Sequence, residues 1–201
     1  MQVLKFNDEQ SWLDSRLTRI TGTRLIMPRT KDKTKKLDGF YDLIGENLLK
    51  NNQDKSSMDI GTELEPESIA RFVKETGKQV DTSLMIWTRD DNSKIALSPD
   101  GVVIGEEAAV ETKSLSAGKH IKTFLTQEIP SCYHYQKLQY FVVNEKLETL
   151  YWLFYNPNLI VNDFFYIVVK RSDIQDEIVE YLEFQNSILK DVENIINDLT
   201  F

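Results

Sequence analysis

One cysteine, Cys132, and two histidines, His120 and His134, are all that 201 residues offer of the softer metal ligands. A disulfide framework and a thiolate-rich zinc site are therefore excluded, and two histidines are too few for an imidazole-based centre. Long apolar runs are also missing. Nothing approaches the roughly 20 residues that span a bilayer, so no membrane partner is expected. The opening MQVLKFNDEQSW lacks a basic stretch followed by an apolar one, so a secretory signal is not expected and a reducing cytoplasm is the default compartment. There is no internal repeat and no low-complexity tract. What remains is ordinary globular material, 41% hydrophobic and 28% charged, of a length that suits one domain over residues 1–201.

A net charge of −8 argues at first against a polyanionic partner. Its distribution reverses that impression. Between Arg16 and Lys36 stand eight basic residues and one acid, Asp32, whereas residues 172–201 hold eight acids and one base, Lys190. Segregation of this kind permits a local polyanion site on an acidic protein.

The pattern predicts a mixed α/β fold. Helices are expected over 7–19 with Asn7 or Asp8 as cap, over 37–49, over 59–76 with Gly77 as terminator, over 131–143, and from about 172 to 200 as an acidic C-terminal element. Strands are expected at 84–87, 95–97, 102–104, 108–113, 147–155 and 166–170, separated by turn clusters such as Asp90-Asp91-Asn92-Ser93.

The chemistry-bearing stretch is Ser98-Pro99-Asp100-Gly101, followed by Glu111-Thr112-Lys113. Residues i and i+2 of a strand share a face, so Glu111 and Lys113 stand side by side, and Asp100 can meet them from the neighbouring hairpin strand. Two carboxylates and a backbone carbonyl, that of Thr112, suffice for Mg²⁺, which prefers oxygen and keeps several waters. Such an ion can activate water and stabilise charge on a scissile phosphate; the lysine can position that water, deprotonate it, or neutralise the developing charge. Taken singly, each element has a structural reading: S-P-D-G is a good turn, and E-x-K is often a solvated pair. An apolar run, Ala108-Ala109-Val110, leading straight into an acid and a lysine favours the functional one.

This D…E-x-K pattern resembles the PD-(D/E)xK nuclease superfamily. More narrowly, the chain is similar to the lambda-exonuclease-type phage recombination nucleases, or alkaline exonucleases. The resemblance runs through Trp12-Leu13-Asp14-Ser15-Arg16-Leu17-Thr18-Arg19-Ile20-Thr21-Gly22-Thr23, Gly61-Thr62-Glu63-Leu64-Glu65-Pro66, Tyr133 to Tyr140, and Tyr155-Asn156-Pro157. It implies a central mixed β-sheet flanked by helices. Asp100, Glu111 and Thr112 would hold metal, with Lys113 as the catalytic lysine and Glu65 near the metals. Gln136 would orient the attacking water, although the chain reads Gln136-Lys137-Leu138-Gln139 and either glutamine fits. Arg16, Thr21 and Thr23 would grip a terminal 5′-phosphate, as a two-bond arginine and hydroxyl donors can. Arg29, Lys31, Lys33, Lys35 and Lys36 would follow the DNA backbone.

The implied activity is a Mg²⁺-dependent 5′-to-3′ exonuclease on double-stranded DNA with phosphorylated ends, with two ions and Mn²⁺ as a substitute. It would leave 3′ single-stranded overhangs for recombination by annealing. A homotrimer, a single-strand annealing protein as partner, and a phage or prophage origin in the bacterial cytoplasm belong to the same picture. The rival readings are another nuclease of this superfamily (an endonuclease or a Cas4-like enzyme) and a non-catalytic DNA-binding protein on a decayed nuclease fold. Cys132 and His134 lack a third orienting group and do not form a nucleophilic pair. His120 is expected in a loop, and Trp87, Trp152 and Tyr133, Tyr135 and Tyr140 in the core.

Overall fold

A computed structural model describes residues 1–15 and 59–199. The strands are β1 (Gln2–Lys5), β2 (Val80–Asp81), β3 (Met85–Thr88), β4 (Ala96–Leu97), β5 (Gly101–Val103), β6 (Ala108–Lys113), β7 (Thr149–Tyr155) and β8 (Phe164–Lys170). The helices are α1 (Glu9–Ser15), α2 (Asp59–Thr76), α3 (Ala117–Thr126), α4 (His134–Val143) and α5 (Gln175–Leu199). Single 3-10 turns, Ser131–Tyr133 and Arg171–Asp173, lead into α4 and towards α5. Among the described residues no helix is long and apolar enough to cross a membrane.

Five strands form the main sheet in the order β2-β5-β6-β7-β8, and a smaller antiparallel sheet runs β1-β3-β4. In the main sheet β6 and β7 are parallel, with Glu111 opposite Trp152 and Lys113 opposite Phe154; the other pairs are antiparallel. A parallel neighbour requires a crossover, and residues 114–148 supply it with α3 and α4. Period-two alternation then divides the core. Val103, Ala108, Val110, Leu153, Tyr155 and Phe164 pack with Ile69 and Phe72 of α2. Ala109, Leu150, Trp152, Phe154, Phe165 and Val169 pack on the other face with Leu138 and Phe141 of α4 and Ile178 and Tyr181 of α5. Both faces of the strands are thus apolar, which is why they read as near-continuous hydrophobic runs.

Local signals account for the helix ends. Asp8 accepts the Ser11 N–H at 2.8 Å, the side-chain cap expected at the start of α1. Gly77, at φ +71°, closes α2 in the left-handed conformation with its N–H on the Val73 carbonyl at 2.8 Å. The C-terminal helix starts at Gln175, a few residues later than expected, because Arg171–Asp173 first form the 3-10 turn. Three elements had no sequence expectation: β1, β2 and α3. His120 is corrected most: it lies on α3, fully buried, with its ring edge-on to Phe165 and Nε2 2.8 Å from the Asn162 carbonyl. The expected helix over 37–49, and Arg16, Thr21, Thr23, Arg29, Lys31, Lys33, Lys35 and Lys36, lie outside the described residues.

Candidate active site

The β5–β6 hairpin stops pairing where the chemistry begins. Its last matched pair is Gly101 with Val110. Continuing that register would set Pro99 opposite Thr112, but proline has no N–H to donate. The Asp100 carboxylate takes the place of the missing strand neighbour and accepts the Thr112 N–H at 2.7 Å. The N–H and carbonyl of one strand residue point to the same side, so the Thr112 carbonyl faces the edge where Asp100 stands. Gly101 lets β2 approach closely: a Cβ there would come within 2.5 Å of Val80 Cγ1 and 2.9 Å of Val110 Cγ2.

Glu111 is 1% exposed and lies at the centre of the polar group. Its Oε1 accepts from Lys113 Nζ and from the Gln136 amide, and its Oε2 accepts from the Tyr140 hydroxyl. The same tyrosine oxygen receives the Asp100 backbone N–H at 3.4 Å, so Tyr140 ties the two carboxylate residues together. Lys113 Nζ also lies over the rings of Tyr133 and Trp152, 5.2 and 5.6 Å from their centroids.

The charges are in conflict, and the proton affinities record it. Burial, with the nearby Glu111 charge adding to it, pushes Asp100 well above the usual carboxylate range, only partly offset by Lys113. Glu65, on α2, is pushed up by burial and by Glu111 and drawn down by Lys113, which places it within electrostatic reach of the pair. Burial lowers the proton affinity of Lys113, but Glu111 and Asp100 outweigh it and hold the ammonium above the ordinary lysine range. Tyr140 is pushed up by burial and both carboxylates, and so remains a phenol able to donate.

Among the described residues no group of three or more His, Cys, Asp and Glu side chains forms a ready-made metal cage. The site nevertheless fits a hard divalent ion. Its donors are oxygens only, from Asp100, Glu111 and the Thr112 carbonyl, and the repulsion that raises Asp100 and Glu65 is what a cation relieves.

The structure therefore brings together Asp100, Glu111, Thr112, Lys113, Gln136 and, electrostatically, Glu65. It also separates the two glutamines. Gln136 reaches Glu111, whereas Gln139 is fully buried, donates to the Ala96 carbonyl at 2.9 Å and accepts from Gln185 of α5. Tyr140 joins the group although sequence reasoning assigned it to the core; it is in fact both. The available signal was its spacing, one helical turn from Gln136. Cys132 is exposed, and His134 stands 3.4 Å from Glu177 of α5, away from any nucleophilic arrangement.

Comparison with known proteins agrees with this architecture. An alkaline exonuclease from Laribacter hongkongensis, LHK-Exo, is 23% identical, with a TM-score of 0.65 over 94% of this chain and 99% of its own. The structure of LHK-Exo in complex with dAMP gives the same TM-score at 22% identity and the same coverage. At these identities the likeness is one of fold: a mixed sheet flanked by helices. No curated protein matches the sequence significantly. The model of the YqaJ-like viral recombinase domain matches residues 11–146, most of the chain and the whole hairpin-and-helix group from Asp100 to Tyr140. The chain belongs to the YqaJ-like viral recombinase domain family.

Proposed function

We propose that this protein is a Mg²⁺-dependent exonuclease that digests one strand of duplex DNA in the 5′-to-3′ direction, leaving 3′ overhangs for recombination by strand annealing. The observation that carries the reading is the meeting of Asp100, Glu111 and Lys113 at the open end of one hairpin, with Gln136 and Tyr140 fixing Glu111 from α4. Membership of a viral recombinase family supports it, as does a fold shared with a protein described as an alkaline exonuclease.

Asp100, Glu111 and the Thr112 carbonyl would hold two ions, with Glu65 near them. Bound there, Mg²⁺, or Mn²⁺ in its place, would supply an activated water and charge stabilisation on the phosphate. Lys113, a cation held between two carboxylates, sets positive charge beside the scissile phosphate and stabilises the charge that develops on it. Gln136, rather than Gln139, would be the active-site glutamine: its amide donates to Glu111, and it would orient the attacking water. Tyr140 keeps Glu111 and the Asp100 backbone in register. Arg16, Thr21 and Thr23 would grasp the 5′-terminal phosphate, and Arg29, Lys31, Lys33, Lys35 and Lys36 the duplex backbone.

Residues 1–201 would act as one nuclease domain within a homotrimer. Its products would pass to a single-strand annealing protein in the cytoplasm of a host carrying a phage or prophage. The test is digestion of linear duplexes bearing 5′-phosphate or 5′-hydroxyl ends, with Mg²⁺ or with EDTA. Mg²⁺-dependent release of mononucleotides, faster from phosphorylated ends, is the expected result. Digestion unaffected by EDTA, or cleavage starting from 3′ ends, would overturn the reading. Sedimentation as a monomer at micromolar concentration would remove the trimer.

A further inference from the structure

The corner between β7 and β8 reaches back to the strand that carries the site. Lys113 is the last residue of β6, and its pairing with Phe154 is the last match between β6 and β7. Beyond it the ladder gives no hold, and a strand end without one opens easily. The next tie comes from the corner. Asn156 follows β7 directly and is 6% exposed. Its side-chain amide donates to the Leu115 carbonyl at 2.9 Å, two residues past Lys113. Burial of the Leu115 side chain keeps that residue in the core, whereas the hydrogen bond fixes which way its peptide faces.

The amide is not free to turn over. Its Oδ1 accepts the Asn158 N–H at 3.0 Å, which leaves Nδ2 for Leu115. The Asn156 backbone is committed as well: its N–H donates to the Asp163 carbonyl at 2.8 Å, and its carbonyl accepts the Leu159 N–H at 3.1 Å. Two further elements hold the corner itself. Asp163 accepts two bonds from Arg71 of α2, at 3.1 and 3.2 Å, and the Asn162 carbonyl lies 2.8 Å from His120 Nε2 of α3. Asn156 therefore works from a fixed base. At the other end of the tie, Lys113 must keep Nζ on Glu111 and over the rings of Tyr133 and Trp152.

We propose that Asn156, which lies outside the residues 11–146 matched by the family model, is a positioning residue for Lys113. Its amide fixes the chain just past β6 and so keeps the lysine on Glu111. Asn156 acts only through Lys113 and touches no reacting group. The proposal rests on the nuclease reading for its consequence in catalysis, and on the geometry alone for the placement of Lys113.

The experiment reads that placement directly. Trace acetylation in EDTA, followed residue by residue by peptide mass spectrometry, compares Lys113 with the exposed Lys119. In the wild type Lys113 should react about tenfold more slowly or less, since it is 19% exposed and its Nζ is engaged by Glu111. Asn156→Ser keeps an acceptor for the Asn158 N–H but is too short to reach Leu115, and Asn156→Ala keeps neither bond. In both variants the gap should shrink to about threefold, the scale of one lost hydrogen bond. Arg171→Ala, a destabilising change at the far end of α4, should keep the full gap. In DNA digestion by Asn156→Ser, kcat should fall by about fivefold with KM unchanged. An unprotected Lys113 in the wild type would overturn the proposal, as would protection retained in both Asn156 variants. Protection kept in Asn156→Ser alone would assign the effect to the turn and overturn it too. So would an equal loss in Arg171→Ala, a raised KM with kcat unchanged, or failure of both Asn156 variants to fold by circular dichroism. The nuclease reading fails differently, by an absence of Mg²⁺-dependent digestion in the wild type, and acetylation of Lys113 can be read whichever way that assay falls.

Discussion

The two ends of helix α4 meet opposite electrostatic conditions. Its C-terminal end is over-provided with donors. Arg171 gives hydrogen bonds to the carbonyls of Phe141, Asn144 and Leu147 at 2.9, 2.6 and 2.8 Å. Arg89 reaches the Val142 carbonyl at 2.5 Å and pairs with Asp91 and Glu145. The Phe141 and Val142 carbonyls are among those that a helix leaves unpaired at its C-terminal end, and cations are favoured there. From its first turn α4 presents Gln136, and one turn further on Tyr140, to a pair of carboxylates that repel each other and share one lysine. One end is satisfied within the protein; the other holds two buried carboxylates in mutual repulsion. A polar cluster that raises the proton affinity of its own acids marks a site, and one that neutralises every acceptor marks a joint.

Changes at the two ends should therefore act on different quantities. The largest effect is expected from Glu111→Gln, which keeps the shape and removes the charge: DNA digestion should fall by on the order of 10³-fold or more, with the melting temperature unchanged or raised as repulsion is relieved. Steady-state digestion and calorimetry on the same preparation check this, and wild-type turnover would dissolve the contrast. Arg171→Ala should do the reverse. Three carbonyls lose a charged donor, and unfolding free energy should drop by about 1.5–3 kcal/mol in denaturant titration, with cleavage per folded molecule preserved. Tyr140→Phe lies between them, since it keeps the ring in the core and removes only the bridge. Cleavage should slow by about tenfold at a stability cost near 1 kcal/mol, and a loss in stability alone would return Tyr140 to the core.

The smallest effect concerns pH. A carboxyl whose proton affinity is raised by folding, as in Asp100 and Glu65, favours the folded state at low pH, and that contribution is lost as pH rises through the raised value. The metal-free protein should carry this loss on the alkaline side. Mg²⁺ binds the ionised form, so its stabilisation should grow with pH, by about 3 °C or more between pH 6 and pH 8.5 at saturating ion. Thermal scans with Mg²⁺ and with EDTA at the two values measure it; an equal shift at both would mean that these acids do not share the ion.

Much of this contrast was legible in the sequence. Asp100, Glu111 and Lys113 could be found because strand alternation and a proline-bearing turn fix their placement locally. The joint could not. Arg171 and Arg89 act on carbonyls from distant parts of the chain, and no spacing rule connects them to α4. Gln136 and Gln139 were equivalent to local reasoning, being one turn apart; they separate because Gln185 of α5 and the Ala96 carbonyl of β4 claim one of them. The short strand β2 had too little pattern to be seen: it is two residues long and is held by close approach to Gly101. Helix α3 went unread because Gly118 and scattered polar residues hide the small apolar set, Ala117, Ile121 and Leu159, that it helps to bury.

The parallel pairing of β6 with β7 also orders events in time. Glu111 and Lys113 lie on a strand whose antiparallel partner, β5, is only a short turn away, so that hairpin can form early. Its other neighbour arrives after a crossover of residues 114–148, and Gln136, Tyr140 and Trp152 come with it or beyond it. Long-range parallel pairing is slow, and synthesis runs from the N-terminus. A chain emerging from the ribosome therefore carries both acids and the lysine well before it can hold them in place. If the chain is the nuclease proposed above, an unfinished copy would be harmless to the DNA around it, and activity would appear in a single late step, when α4 and β7 dock.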